Sequence, residues 1–238
     1  MALVPFLLDK LVRVCVAAPQ PKKLISAGYP DLLVNPSLVR HYLGNIPLEF
    51  HPDEAAIIKW HGCGKITDRI VDSRFFFERL NTELTVIDLR TVRGNELVHD
   101  LNQPLPAEFH GQYDVLLDTG TIEHCFNIGQ AAVNLASLLK EGGMLLQTLP
   151  LSSFNHGFYN INPTWFHDFY SAENGFEILE LKGLTNLFSP TFFDPPPFSG
   201  FGGVPDRSTL FVMARRREVK PLAYPTQHKY VVNAELKG

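Results

Sequence analysis

The chain has 238 residues, a formal net charge of −4, 45% hydrophobic and 19% charged residues. That mix excludes a disordered chain and gives enough length to bury the core of one large α/β domain. The short basic run Arg215-Arg216-Arg217 follows an apolar segment and reads as a solvated strand end, so a nucleic-acid partner is disfavoured. From the N-terminus, Leu3, Phe6, Leu7, Leu11 and Val14 recur at helical spacing, while Asp9, Lys10 and Arg13 interrupt the apolar run. An amphipathic helix packed on the domain is expected there, not an export signal. No stretch approaches the ~18 uninterrupted apolar residues of a membrane span. Cys15, Cys63 and Cys125 lack metal-ligand spacing and fit a reducing cytoplasm.

Beyond the breaker Ala18-Pro19-Gln20-Pro21, Lys22–Ala27 reads as a short strand closed by Gly28-Tyr29-Pro30-Asp31. Pro36–Leu43 reads as a helix with Asn35 at its N-cap. Gly44 to Lys65 is irregular, and Val71–Leu80 is helical. A rhythm follows: strands over Leu84–Ile87, Glu96–His99, Tyr113–Leu117 and Met144–Leu149, with a helix over Ile128–Leu139 stopped by Lys140-Glu141-Gly142-Gly143. A helix over Thr164–Ser171 and late strands over Phe176–Leu181 and Thr209–Ala214 complete the pattern. Alternating strands and helices predict a doubly wound, mostly parallel sheet with helices on both faces. Seven strands are expected, with a late antiparallel strand at the edge. The chain reads as one domain, 1–238, with an N-terminal helix (1–18), an insertion (44–70), a Pro/Gly/Phe-rich loop (185–208) and a C-terminal tail (216–238).

Three successive strands each end in an aspartate: Asp88, Asp100 and Asp118. In a doubly wound sheet ligands bind at the carboxyl ends of the strands, near the point where strand order reverses. A carboxylate there can accept from the vicinal hydroxyls of a ribose, and another, one strand further, from an adenine amino group. Aspartates are also common turn formers.

The runs Leu84-Thr-Val-Ile-Asp88, His99-Asp100-Leu101-Asn102 and Tyr113-Asp-Val-Leu-Leu-Asp118-Thr-Gly-Thr-Ile-Glu123-His124 together resemble the class I S-adenosylmethionine-dependent methyltransferases. Leu138-Leu-Lys-Glu-Gly-Gly-Met-Leu-Leu146 is similar to that family's helix–Gly-Gly–strand signature. The run Asn155-His-Gly-Phe-Tyr-Asn-Ile-Asn-Pro-Thr164 resembles a sub-family among bacterial small-molecule and glycan-associated methyltransferases. The resemblance implies a Rossmann-like methyltransferase fold and S-adenosylmethionine as cofactor. It also implies cofactor contacts from Asp88, Asp100, Leu101, Asp118, Thr119 and Gly120.

Two segments compete for the family's glycine-rich first loop, and neither has its full pattern. Gly28 follows a strand but stands alone. Gly62-Cys63-Gly64 follows Ala56–Trp60 and lies 24 residues before Asp88. Gly28 is preferred, because Val71–Leu80 already supplies a helix before the second strand.

Methyl transfer from a sulfonium depends mainly on in-line positioning. A hydroxyl or ammonium acceptor must still lose a proton, which suits histidine near neutral pH. His124 follows the fourth strand and His156 the fifth, so either is a candidate base; Tyr159 and Asn155 are candidates to hold the acceptor. Loop histidines also serve as structural donors. The expected function is methyl transfer to an oxygen or nitrogen of a polar small molecule, in the cytoplasm, with no metal. The alternative is a catalytically silent binding or assembly module of the same fold. A metal phosphohydrolase built on His99-Asp100 with His61 and His124 is disfavoured, since that pair ends a strand; a dehydrogenase lacks its G-x-G-x-x-G. The loop carrying Phe188, Phe192, Phe193, Phe198 and Phe201 is too apolar to stand free. It covers the substrate cleft, packs in a homodimer, or covers the sheet edge.

Overall fold

The structure, a computed structural model, describes residues 2–17, 19–91, 93, 94 and 96–233. The final five residues of the expected C-terminal tail and Ala18 of the expected N-terminal helix lie outside them. In chain order the elements are β1 (Ala2–Leu3), α1 (Pro5–Val16), β2 (Lys22–Ala27), β3 (Asp31–Leu32), α2 (Pro36–Leu43), α3 (Glu54–His61), α4 (Ser73–Arg79), β4 (Thr82–Asp88) and β5 (Glu96–Val98). They continue with β6 (Tyr113–Thr119), α5 (Ile128–Leu138), β7 (Leu139–Pro150), α6 (Pro163–Phe169), β8 (Phe176–Leu184), β9 (Phe192–Phe193), β10 (Thr209–Arg216) and α7 (His228–Val232).

The main sheet runs β5-β4-β2-β6-β7-β10-β8-β9. Strands β5, β4, β2, β6 and β7 are parallel, and strand order reverses between β2 and β6. This is the Rossmann-like α/β arrangement the sequence predicts. It has eight strands, not seven, because β9 adds to the rim beside β8. Gly183 leaves the space that the Phe193 ring fills, which lets so short a strand pair. The late strands run antiparallel as expected: β9 at the edge pairs antiparallel with β8, and β10 lies inside, antiparallel to both β7 and β8.

Alternation along the strands divides the core in two. Ile25, Ile87, Leu116 and Leu145 face α5 and α6, with Leu135, Phe166 and Tyr170. Leu24, Val86, Val115, Leu117 and Leu146 face the other way, against Leu8 and Leu11 of α1 and Phe76 of α4. Leu8 and Leu11 are fully buried, each worth about 1.5–3 kcal/mol of burial. The expected Asn35 cap forms, accepting from Ser37 N–H at 2.9 Å, and Asp72 caps α4 by accepting from Phe75 N–H at 3.0 Å.

Three further details depart from the sequence reading. Residues 54–61 are helix α3, closed by Gly62 in the left-handed region at φ +63°, so Ala56–Trp60 is not the rival first strand. Of the glycine pair, which lies within β7 and not before it, only Gly142 has positive φ; Gly143 is required for space, since a Cβ there would sit 2.9 Å from the Lys140 carbonyl oxygen. Arg216 is 3% exposed, not a solvated strand end. Its Nη1 donates to the carbonyls of Ala136, Ser137 and Leu139 at 2.8, 3.2 and 2.9 Å, adding a donor to the carbonyls at the end of α5.

Candidate active site

Strand order reverses between β2 and β6, and in doubly wound sheets ligands bind beyond the carboxyl ends of the strands at such a point. Gly28 turns the chain out of β2 at φ +78°, a conformation that favours glycine. The chain then departs into β3, which pairs with β1, and returns only at α4. Two contacts bring the start of α4 back onto this turn. Tyr29 Oη donates to Asp72 Oδ2 at 3.0 Å, and Ser73 Oγ donates to the Pro30 carbonyl at 2.6 Å. The first loop and its helix are thus rejoined around an intervening segment that has its own small core of Leu33, Ile57, Cys63 and Ile70.

Asp88 ends β4 and Asp100 follows β5, both partly exposed. The Arg90 N–H lies 3.4 Å from Asp88 Oδ1, leaving the carboxylate ample capacity to accept. Asp100 Oδ1 accepts from the backbone N–H and the side-chain amide of Asn102, at 3.0 and 2.7 Å. Those bonds, the backbone one first, hold its pKa below the usual carboxylate value. Leu101 is 6% exposed and packs into the core beside α5.

Arg93, which the sequence reading passed over, reaches from the β4–β5 connection to Asp31 beyond β2. Its Nη2 lies 2.9 Å from Asp31 Oδ1, and its guanidinium lies 4.3 Å from the centre of the Tyr29 ring. His61 Nε2 joins the same carboxylate at 3.2 Å. Arg93 Nη1 is buried without a partner. No motif marks Arg93; only the neighbourhood of β2 and β4 brings it there.

The next strand end behaves differently. Asp118 is fully buried, and its carboxylate accepts from Gln147 Nε2 at 2.7 Å and Thr121 N–H at 2.9 Å. Burial raises its pKa. The side chain therefore holds the following loop, whereas Thr119 and Gly120 themselves line the cleft. Glu123, in a single 3-10 turn (Ile122–His124), is 1% exposed. Burial first, then the charge of Asp118, push its pKa up.

A cleft of about 850 Å³ opens over β6 and β7, with Gly120, Glu123, Thr148, Asn155, His156 and Arg207 among its walls. His156 Nε2 lies 3.6 Å and His124 Nε2 3.8 Å from Glu123 Oε1, and the two imidazole centroids are 5.2 Å apart. Burial, then His156, lower the pKa of His124. The two candidate bases are thus neighbours, not alternatives at separate places. Asn155 sits in the left-handed region at φ +58° and lines the cleft. Tyr159 is not among the lining residues: its hydroxyl donates to the Phe126 carbonyl at 2.7 Å and ties two loops together. The Phe-rich loop serves both cleft and edge. Phe188 and Arg207 line the cleft, while Phe192 pairs at the sheet rim and meets Phe6 at 5.0 Å. His99 bonds to the Gln103 carbonyl at 3.1 Å and His61 to Asp31, so the His99-Asp100 metal site does not assemble.

No protein-family model matches the chain, and no curated protein matches it. Among solved structures, it is similar to the Burkholderia thailandensis 1,6-didemethyltoxoflavin-N1-methyltransferase bound to 1,6-didemethyltoxoflavin and S-adenosylhomocysteine. That likeness has 13% identity, a TM-score of 0.45, and coverage of 84% of this chain and 72% of the other. The CurJ carbon methyltransferase gives 11% identity and a TM-score of 0.47 over 87% of this chain and 52% of that one. A variant of the Catenulisporales acidiphilia 16S rRNA (adenine(1408)-N(1))-methyltransferase gives 9% identity and a TM-score of 0.40 over 92% of each chain.

Proposed function

We propose that this chain transfers a methyl group from S-adenosylmethionine to an oxygen or nitrogen of a polar small molecule. The observation that carries the reading is the order of Gly28, Asp88 and Asp100 at the ends of the adjacent strands β2, β4 and β5, beside the reversal point. The residues fit such a cofactor. Asp88 and Asp100 keep acceptor capacity for hydroxyl and amino donors, and the buried, unpartnered Nη1 of Arg93 suits a carboxylate. When bound, the cofactor supplies an activated methyl group, so the protein's own task is placement.

On this reading the acceptor occupies the cleft over β6 and β7. His156 and Glu123 line it with polar groups, and the rings of Phe154 and Phe188 line it with apolar ones. An acceptor hydroxyl or ammonium would lose its proton toward His124 or His156. The membrane has no part in this reading: among the described residues no helix is long and apolar enough to cross one.

The test is isothermal titration with S-adenosylmethionine and S-adenosylhomocysteine. Saturable binding of both at one site per chain is expected, and a folded protein that binds neither removes the reading. A catalytically silent module of the same fold is favoured by one observation, the Asp31–Arg93 ion pair beside a single-glycine first loop. It predicts that neither ligand competes with that pair.

A further inference from the structure

The geometry points to a divalent metal site formed by Glu123, His124 and His156, with its open side facing the cleft over β6 and β7. We infer a first-row cation of the zinc type, since two imidazoles and one carboxylate are ligands such ions take in sites that keep an open position. The sequence reading expected no metal, because the cysteines lack metal-ligand spacing and the His99-Asp100 pair ends a strand.

The three residues offer ligand atoms that all lie within 4.8 Å of one another. Atoms bound at about 2.0–2.2 Å to one tetrahedral ion stand roughly 3.3–3.6 Å apart. The distances of 3.6 and 3.8 Å from Glu123 Oε1 to the two imidazoles are already close to that. Both imidazoles are about half exposed, so rotation about their own side-chain torsions closes the remainder.

Independently, the buried carboxylate lacks the partners it needs. Glu123 is 1% exposed, and its Oε2 has no hydrogen-bond partner. A buried carboxylate without a counter-charge is costly, and a cation removes that cost. The backbone is shaped around the same group. Gly120, at φ +100°, would place a Cβ 3.0 Å from Glu123 Oε1. Gly157 would place one 2.8 Å from the Glu123 carbonyl oxygen, so the loop carrying His156 can lie directly on Glu123. Phe158 N–H donates to that carbonyl at 2.8 Å and holds the loop there.

Because the cleft opens on this cluster, an ion there holds an oxygen of the acceptor and lowers its pKa, so that its proton leaves to solvent and the ion with its bound imidazoles takes the place of the general base proposed for the metal-free site. That role rests on the methyl-transfer reading; the metal site itself does not. The acceptor class it favours is an oxygen chelator, such as a compound with two adjacent hydroxyls.

The experiment uses the full chain, stripped with a chelator and dialysed free of it, then titrated with Co2+ and back-titrated with Zn2+. One Co2+ per chain with visible d–d bands, displaced by Zn2+, is expected. Affinity should fall at least about 100-fold in E123Q and in H156Q, and remain unchanged in H110A, an exposed histidine elsewhere. E123Q is isosteric and His156 is exposed, so both should fold, as circular dichroism will check. Absence of stoichiometric Co2+ binding, or equal affinity in H156Q and the parent protein, overturns the site. Acetohydroxamate, a two-oxygen ligand, should shift the Co2+ bands; unshifted bands overturn the open acceptor side. S-adenosylmethionine titration of the same variants separates the two readings. Co2+ binding in a protein that does not bind this cofactor supports the metal site and removes the methyl-transfer reading.

Discussion

Gly157 lies against Glu123 so closely that a side chain would not fit: an ideal Cβ would stand 2.8 Å from the Glu123 carbonyl oxygen and 2.9 Å from its Cγ. The two positions are 34 residues apart in sequence, in separate runs, and this approach puts His156 over a buried carboxylate. Gly157→Ala should push the loop outward. Overpacking against backbone costs about 1–3 kcal/mol, and each kcal/mol lowers Tm by about 2–4 °C in a chain of this size. Differential scanning calorimetry checks the loss, and the Co2+ titration should show weakened binding in the same variant. A Tm equal to that of the parent protein would mean that the contact gives way freely.

Asp88 is expected to contribute directly to cofactor affinity. Asp88→Ala should weaken S-adenosylmethionine binding by about 1.5–3 kcal/mol, the scale of charge-assisted hydrogen bonds, or roughly 10- to 100-fold. Isothermal titration reads this, and unchanged affinity in a folded variant would falsify the assignment.

Gly28 and Gly62 both have positive φ, +78° and +63°, so alanine at either position costs about 1–2 kcal/mol of stability. Their binding effects should separate. Gly28 ends the central strand β2 beside the reversal of strand order, whereas Gly62 caps α3 with nothing within 4 Å of its added Cβ. Gly28→Val is expected to abolish cofactor binding, and Gly62→Val to lower Tm while leaving Kd unchanged. The opposite pattern would move the cofactor loop to the insertion.

Acid should loosen the intervening segment through His51. It is 7% exposed, its Nδ1 accepts from Asp53 N–H at 3.0 Å, and its ring meets Tyr29 edge-on at 6.1 Å. Burial, then the charge of Arg93, depress its pKa, while Asp72, Asp31 and Asp53 pull the other way without prevailing. The folded pKa lies below the unfolded value of about 6.5, so the unfolded chain takes up the proton first. The stability from neutral His51 is present above pH ~6.5 and is lost as pH falls through the folded pKa. Denaturation midpoints at pH 7.5 and about pH 5 should differ more in the parent protein than in His51→Gln. Equal losses in the two proteins would exclude this role.

The order of elements was legible in the sequence because local patterns determine it. Short apolar runs such as Val115-Leu116-Leu117, bounded by turn residues, read as strands buried on both faces, and Asn35, Asp72 and Gly142 carry the caps and turn their neighbours require. The strand-end positions of Asp88, Asp100 and Asp118 follow from the same periodicity. Which of them faces a ligand does not: Asp118 turns inward because Gln147, a neighbour only across β7, is there to receive it. Helix α3 was missed because its apolar face, Ile57, packs against Leu33 and Ile70 in a small local core that periodicity does not announce. Arg93 beside Asp31, and His156 beside Glu123, are 62 and 33 residues apart in sequence. Such long-range encounters between charged groups are set by the sheet order and by how closely backbone can approach at Gly120 and Gly157, and only the folded chain decides them.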